Sequence, residues 1–87
     1  IVFMGTHGMD PEFGFSSPNL VEAETNREVI RRSAKFVVLA DHSKWGVKGF
    51  SSFAGFDTAD VVITSQGLGS KQLQLLRSKV KEVLVAS

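Results

Sequence analysis

Five consecutive positions, Phe36-Val37-Val38-Leu39-Ala40, carry only apolar side chains, and this run limits the fold more than any other feature of the chain. A strand with one wet face alternates apolar and polar residues. An unbroken run of this length belongs to a strand covered on both faces, the inner strand of a parallel sheet. Three further runs share the character: Ile1-Val2-Phe3-Met4, Val61-Val62-Ile63-Thr64 and Val83-Leu84-Val85-Ala86.

Helical signals lie between these runs. Ser17-Pro18-Asn19 reads as a helix entry with Pro near the first turn, and the spacing predicts a helix to about Ala34. Glu22 and Glu24 near its start, and Arg31, Arg32 and Lys35 near its end, complement the helix dipole. Glu28 and Arg32 are spaced for an i,i+4 pair worth ~0.3 kcal/mol. Leu20, Ala23, Ile30 and Ala34 form a partial apolar stripe, and Arg27, Arg31, Arg32 and Lys35 read as a solvated face. A second helix is expected from Ser70 as its cap, with Leu73 and Leu76 inward and Leu75 beside them. Gly5 to Pro18, rich in Gly, Ser and Pro, reads as a long loop. Trp45 to Asp60 reads as an extended arm, a short helix or both. Helices alternating with apolar strands predict an α/β fold around a mostly parallel sheet.

Composition narrows the function classes. Ten Lys and Arg against nine Asp and Glu give a net charge of +1, without the dense basic face of a free-standing nucleic-acid-binding domain. No apolar run approaches the roughly 20 residues of a membrane-spanning helix. Cysteine is absent, so thiolate chemistry and disulfides are excluded. No zinc-spaced cluster, calcium loop or Walker-type loop is present, and no cofactor is expected. The 87 residues allow one small domain, and a chain of this size buries only about 60–65% of its unfolded surface. The chain opens in mid-strand, so it reads as a piece of a larger body, with the first strand's edge and parts of the sheet faces left uncovered.

Ligands of open parallel sheets bind beyond the carboxyl ends of the strands. That rule selects Gly5-Thr6-His7-Gly8-Met9-Asp10, Asp41-His42-Ser43-Lys44 and Thr64-Ser65-Gln66-Gly67. Gly5 and Gly8 let backbone amides approach an anion, with the Thr6 hydroxyl as a further donor; the same spacing also serves a plain tight turn. Asp41 and Lys44 suit a sugar hydroxyl and an anion, or a solvated pair worth under ~1 kcal/mol. Glu22, three residues after Asn19, either completes a loose capping box or faces a ligand. His42 and Ser43 add polar density without a recognisable triad.

At these loops the sequence resembles a known family. Phe3-Met4-Gly5-Thr6-His7-Gly8-Met9-Asp10, Gly14-Phe15, Glu22-Ala23-Glu24, Val38 through Gly46 and Val62-Ile63-Thr64 resemble the C-terminal sensor domain of DeoR-family bacterial transcriptional repressors, in register over nearly the whole chain. The segment Asp41-His42-Ser43-Lys44-Trp45-Gly46, where the family typically reads Asp-x-Ser-Lys-Phe-Gly, is the most specific.

The resemblance implies a Rossmann-like fold shared with ribose-5-phosphate isomerase and coenzyme A transferases. It implies that residues 1–87 are the C-terminal part of one effector-binding domain. The effector would be a phosphorylated sugar or related metabolite, and binding would release a cytoplasmic homo-oligomeric repressor from DNA. DNA would be contacted only through a winged helix-turn-helix domain outside this chain. Effector contacts fall on Gly5, Thr6, His7, Gly8, Asp10, Glu22, Asp41 and Lys44. The alternative is a fragment of a sugar-phosphate isomerase-like enzyme. Two departures stand out: Ser65 replaces an Asp often found after Ile-Thr, and Trp45 replaces Phe. The glycine-rich segment with its lysine that the isomerases carry ahead of the glutamate is replaced by Phe15-Ser16-Ser17-Pro18. That departure favours a sensor without catalysis.

Overall fold

A computed structural model describes residues 1–86. The four apolar runs form one parallel sheet from β1 (Val2–Gly5), β4 (Phe36–Ala40), β6 (Val61–Ser65) and β7 (Glu82–Ala86), in the order β1-β4-β6-β7. The run 36–40 is an inner strand, as its composition demands. Helices α1 (Leu20–Arg31) and α2 (Ser70–Lys79) occupy the crossovers.

A second sheet is the main departure from the expected plan. β2 (Gly8–Asp10), β3 (Gly14–Ser17) and β5 (Ser51–Ala54) pair antiparallel in the order β2-β3-β5. Thus residues 5–18, expected to be a loop, contain two strands, and the stretch 45–60 contains β5 and a 3-10 turn at Phe56–Thr58. The strands escape local reading because they bury polar side chains whose partners lie on other elements. Ser16 and Ser17 are buried. Ser16 Oγ accepts from Gly49 N–H at 2.8 Å, and Ser17 Oγ accepts from Asn26 Nδ2 at 3.2 Å. Gly8 completes the arrangement: a Cβ there would lie 2.0 Å from the Val47 carbonyl oxygen, so only glycine permits this approach.

The core fills the space between the two sheets. The rung Met4, Val38, Val62 and Val83 shares one face of the large sheet. That face packs on Met9, Phe15, Phe53 and Phe56 from the small sheet and its turn, with Ala23, Leu76 and Val80 alongside. On the opposite face Val37 and Val61 are buried, while Phe3, Leu39 and Leu84 stand exposed. β1 is an edge strand, as expected for an open first strand.

Helix boundaries differ in detail. α1 ends at Arg31 rather than near Ala34, because the chain tightens into a Ser33 N–H to Ile30 O bond. Asn19 Oδ1 caps it by accepting from Glu22 N–H at 2.8 Å. Glu28 pairs with Arg32 at 2.7 Å and also with Arg31. Leu20 and Ala34 are exposed, and Ala23, Asn26 and Ile30 form the inner side. Arg27 is not merely solvated, since its guanidinium donates to the Ser52 carbonyl and the Ser51 hydroxyl, tying α1 to β5. For α2 the cap is Gly69, not Ser70, and Gly69 N–H donates to Gln72 Oε1 at 2.9 Å. Leu76 is buried and Leu73 packs on the core, as the stripe predicts.

Asp60 pins the entry of the central strand. Its carboxylate accepts from Phe36 N–H at 2.8 Å and lies 3.4 Å from Lys81 Nζ. The Phe36 amide, and then Lys81, hold its pKa below the ordinary value. A carboxyl depressed on folding stabilises above its unfolded pKa, and the contribution disappears as pH falls through the folded one. Asp60→Asn should therefore flatten the loss of melting temperature as pH falls from about 5 through the acid range below the ordinary carboxylate pKa. Parallel melting profiles for the two proteins over that range would show that Asp60 contributes nothing to acid sensitivity.

Candidate functional site

The carboxyl end of β1, the entry of α1 and the turn after β4 meet around a cavity of about 460 Å3. Met4, Gly5, Thr6 and His7 form one wall, and Ser17, Pro18, Glu22 and Asn26 a second. Lys44 closes the third side. This is the location that the strand-end rule selects.

Lys44 reaches the cavity through a 3-10 turn, His42–Lys44. The Asp41 carbonyl accepts from Lys44 N–H at 2.9 Å, and the His42 carbonyl accepts from Trp45 N–H at 3.1 Å. Gly46 N–H then donates to Met9 O at 2.8 Å, anchoring the turn on the small sheet. The Lys44 side chain is half-buried and makes no ion pair or hydrogen bond among the described residues. Glu22 is likewise without an ion-pair partner there. It stands in the first turn of α1, where its amide is capped by Asn19. The cavity thus carries a cation and a carboxylate that are unpaired among the described residues, an amide side chain at Asn26 and the peptide groups of a glycine-bearing loop.

Five of the eight sequence-selected residues meet here: Gly5, Thr6, His7, Glu22 and Lys44. The Thr6 hydroxyl is already engaged, donating to Gly8 O at 2.7 Å and accepting from Ser16 N–H at 3.2 Å. His7 is exposed, with its amide donating to Ser16 O at 3.0 Å. The other three lie outside the cavity walls. Gly8 is buried in β2 against Val47. Asp10 caps the β2–β3 turn, its Oδ2 accepting from Glu12 N–H at 3.0 Å and Phe13 N–H at 2.9 Å. Asp41 turns away to the neighbouring strand.

Asp41 does not pair with Lys44. Its Oδ1 accepts from Ser65 Oγ at 2.8 Å and lies 3.0 Å from His42 Nδ1. The Ser65 hydrogen bond, followed by the Ser43 amide, holds its pKa below the usual carboxylate value. Ser65, which stands where the family often has Asp, is the hub of this cluster. It also accepts from His42 N–H at 2.9 Å and contacts His42 Nδ1 at 2.8 Å. The hydroxyl donates directly to the carboxylate, so the order is not that of a nucleophile–base–carboxylate relay. Asp41 positions Lys44 through the backbone of the turn. Sequence reasoning missed Ser17, Pro18 and Asn26 as cavity residues. The available signal was helical spacing, since Asn26 lies one turn beyond Glu22 on the same side of α1.

An open parallel sheet with a polar, cation-bearing cavity beyond its strand ends defines an α/β ligand-binding domain. The chain belongs to the DeoR C-terminal sensor domain family, whose model matches residues 1–66. It is 33% identical over 78 residues to the HTH-type transcriptional regulator GlpR of Haloferax volcanii, covering 90% of this chain and 31% of that protein. It is 40% identical over 62 residues to the HTH-type transcriptional regulator FruR of Bacillus subtilis, covering 71% and 25%. Against the regulator IolR of Bacillus subtilis the identity is 31% over 72 residues, covering 83% and 29%. The chain spans about a third or less of the length of these relatives. The family is described as a sensor domain and these relatives are named as transcriptional regulators, not as enzymes, which favours the sensor over the isomerase alternative. Among the described residues no helix is long and apolar enough to cross a membrane.

Proposed function

We propose that this chain is part of the effector-sensing domain of a transcriptional repressor, and that a phosphorylated sugar is its effector. The observation that carries this reading is Lys44, a half-buried ammonium without a partner among the described residues, on the wall of a cavity that also holds the entry of α1. An ammonium is a strong point donor to phosphate. Glu22 and Asn26 suit the hydroxyls of a sugar, and the Gly5–His7 segment supplies peptide groups beside the anion. A neutral sugar leaves Lys44 unmatched, and a bare phosphate leaves Glu22 unmatched. In the whole protein, a separate helix-turn-helix domain would contact DNA, and the sensor would join copies into a homo-oligomer in the cytoplasm. Effector binding shifts such a regulator only through different affinities for its DNA-competent and released states.

The test is thermal stabilisation of the protein across phosphorylated pentoses and hexoses and their unphosphorylated counterparts. A true effector at 100 times its dissociation constant adds about 2.7 kcal/mol. Stabilisation by a phosphorylated member and not by its parent sugar is the expected result. Equal response to both, or none across the panel, would end this reading.

A further inference from the structure

All three connections of the large sheet lie on one of its faces. The strand order β1-β4-β6-β7 advances in a single direction. Right-handed crossovers that keep advancing the same way stay on the same side of a sheet. The packing agrees. Ala23 of the first connection, Phe56 of the second and Leu76 of the third belong to one core cluster, together with Val38, Val62 and Val83 of the sheet. The other face is apolar as well. Phe3, Val37 and Val61 form one row across it, and Leu39, Ile63 and Leu84 the next. Phe3 is 59% exposed, and Leu39 and Leu84 are each 46% exposed. Val37 and Val61, in the middle of the first row, are buried, but none of the six joins the core cluster. Such a face is not built for water, because a parallel sheet is covered on both sides.

Size and topology together identify the cover. Strands about 4.8 Å apart and same-face residues about 7 Å apart give a patch of roughly 19 by 14 Å, or about 270 Å2. A stable interface between two copies buries about 800 Å2 on each partner. The patch is too small for that, but it suits one or two helices, each about 10 Å across. Topology says where such helices come from. A right-handed connection reaches this face when strands are added in the reverse direction, outward from β1. The outer edge of β1 is unpaired. The matched relatives carry about two thirds or more of their length outside the matched region, which is ample chain for such units.

We propose that this face is an internal docking surface, covered in the whole protein by one or two amphipathic helices of the same polypeptide, from outside residues 1–87. Their apolar side meets Phe3, Leu39, Ile63 and Leu84, and their polar side meets water. Phe3 and Leu39 lie two residues before Gly5 and Asp41, so the cover adjoins the strand ends from which the cavity loops leave. The surface does not depend on what that cavity binds.

Photo-crosslinking in the whole regulator tests this. Leu39→p-benzoylphenylalanine and, separately, Leu84→p-benzoylphenylalanine place the probe on the face, and Phe3→p-benzoylphenylalanine replaces either one if it misfolds. Irradiation should join the probe to a peptide outside residues 1–87 in a product with the mass of a single polypeptide. Hydroxyl-radical labelling of the unsubstituted regulator supplies a readout that no substitution perturbs. Phe3, Leu39 and Leu84 should be labelled about fivefold or more slowly in the native protein than in urea. Native labelling within about twofold of that in urea would overturn the proposal. So would crosslinks between two copies, crosslinks confined to residues 1–87, or no product from normally folded proteins.

Discussion

Phe15→Ala should remove a large share of the stability of this chain. Phe15 is fully buried on β3, with ring centroids 4.9 Å from Phe56, 6.4 Å from Phe36 and 6.5 Å from Phe53. Phe36 belongs to the large sheet, and Phe53 and Phe56 to the small sheet and its turn. This ring is therefore a central contact between the two sheets, beside Met9, Phe53 and Phe56. Truncating a buried Phe costs about 3–5 kcal/mol from lost transfer and the cavity left behind. A domain of this length has about 4–13 kcal/mol in total, at roughly 0.05–0.15 kcal/mol per residue. Urea unfolding followed by circular dichroism should show the midpoint collapse. Phe50→Ala is the matched control, because Phe50 is 75% exposed and a surface change stays within about 0.5 kcal/mol. Similar midpoints for the two variants would mean that the sheets are not joined through Phe15.

The same ring shows which parts of the fold local sequence reveals. The runs 36–40 and 61–63 declare themselves because each residue is apolar and each strand is central. Phe15 sits in a segment whose neighbours, Gly14, Ser16 and Ser17, are residues of turns. They form a strand because Gly49, 33 residues away, and Asn26, on the following helix, satisfy the two serines. Gly49 lies outside any local window, and Asn26 reaches Ser17 only once the chain has turned into α1. The site divides in the same way. Lys44 and Glu22 were legible from the strand-end rule and the helix start, both local features. Asp41 was not, because its partner Ser65 lies on the next parallel strand, 24 residues away. Reading Ser65 as the loss of a carboxylate overlooked its hydroxyl, which joins Asp41 to His42 and fixes the turn that presents Lys44.

That turn makes Lys44→Ala the sharpest test of the proposed effector site. The side chain has no partner among the described residues, so its removal takes nothing from the fold and the melting temperature should stay near that of the parent. Binding is a different matter. Loss of a charge-assisted hydrogen bond to phosphate weakens an effector by about 1.5–3 kcal/mol, roughly ten- to 150-fold. In the whole regulator, operator binding should persist while release by effector is lost, because the substitution lies in the sensor cavity. Lys44→Arg keeps the charge but not the compact ammonium, and should recover only part of the affinity. Asp41→Asn supplies the contrast: it stands outside the cavity and acts through the Ser65 cluster, so its effect on affinity should be smaller than that of Lys44→Ala. Calorimetric titration of the three variants with the effector found by thermal stabilisation decides the matter. Unchanged affinity in a normally folded Lys44→Ala protein would remove the ammonium from the site. The cavity would then bind through Glu22, Asn26 and the Gly5–His7 backbone alone, a set suited to a neutral polyol rather than to a phosphate.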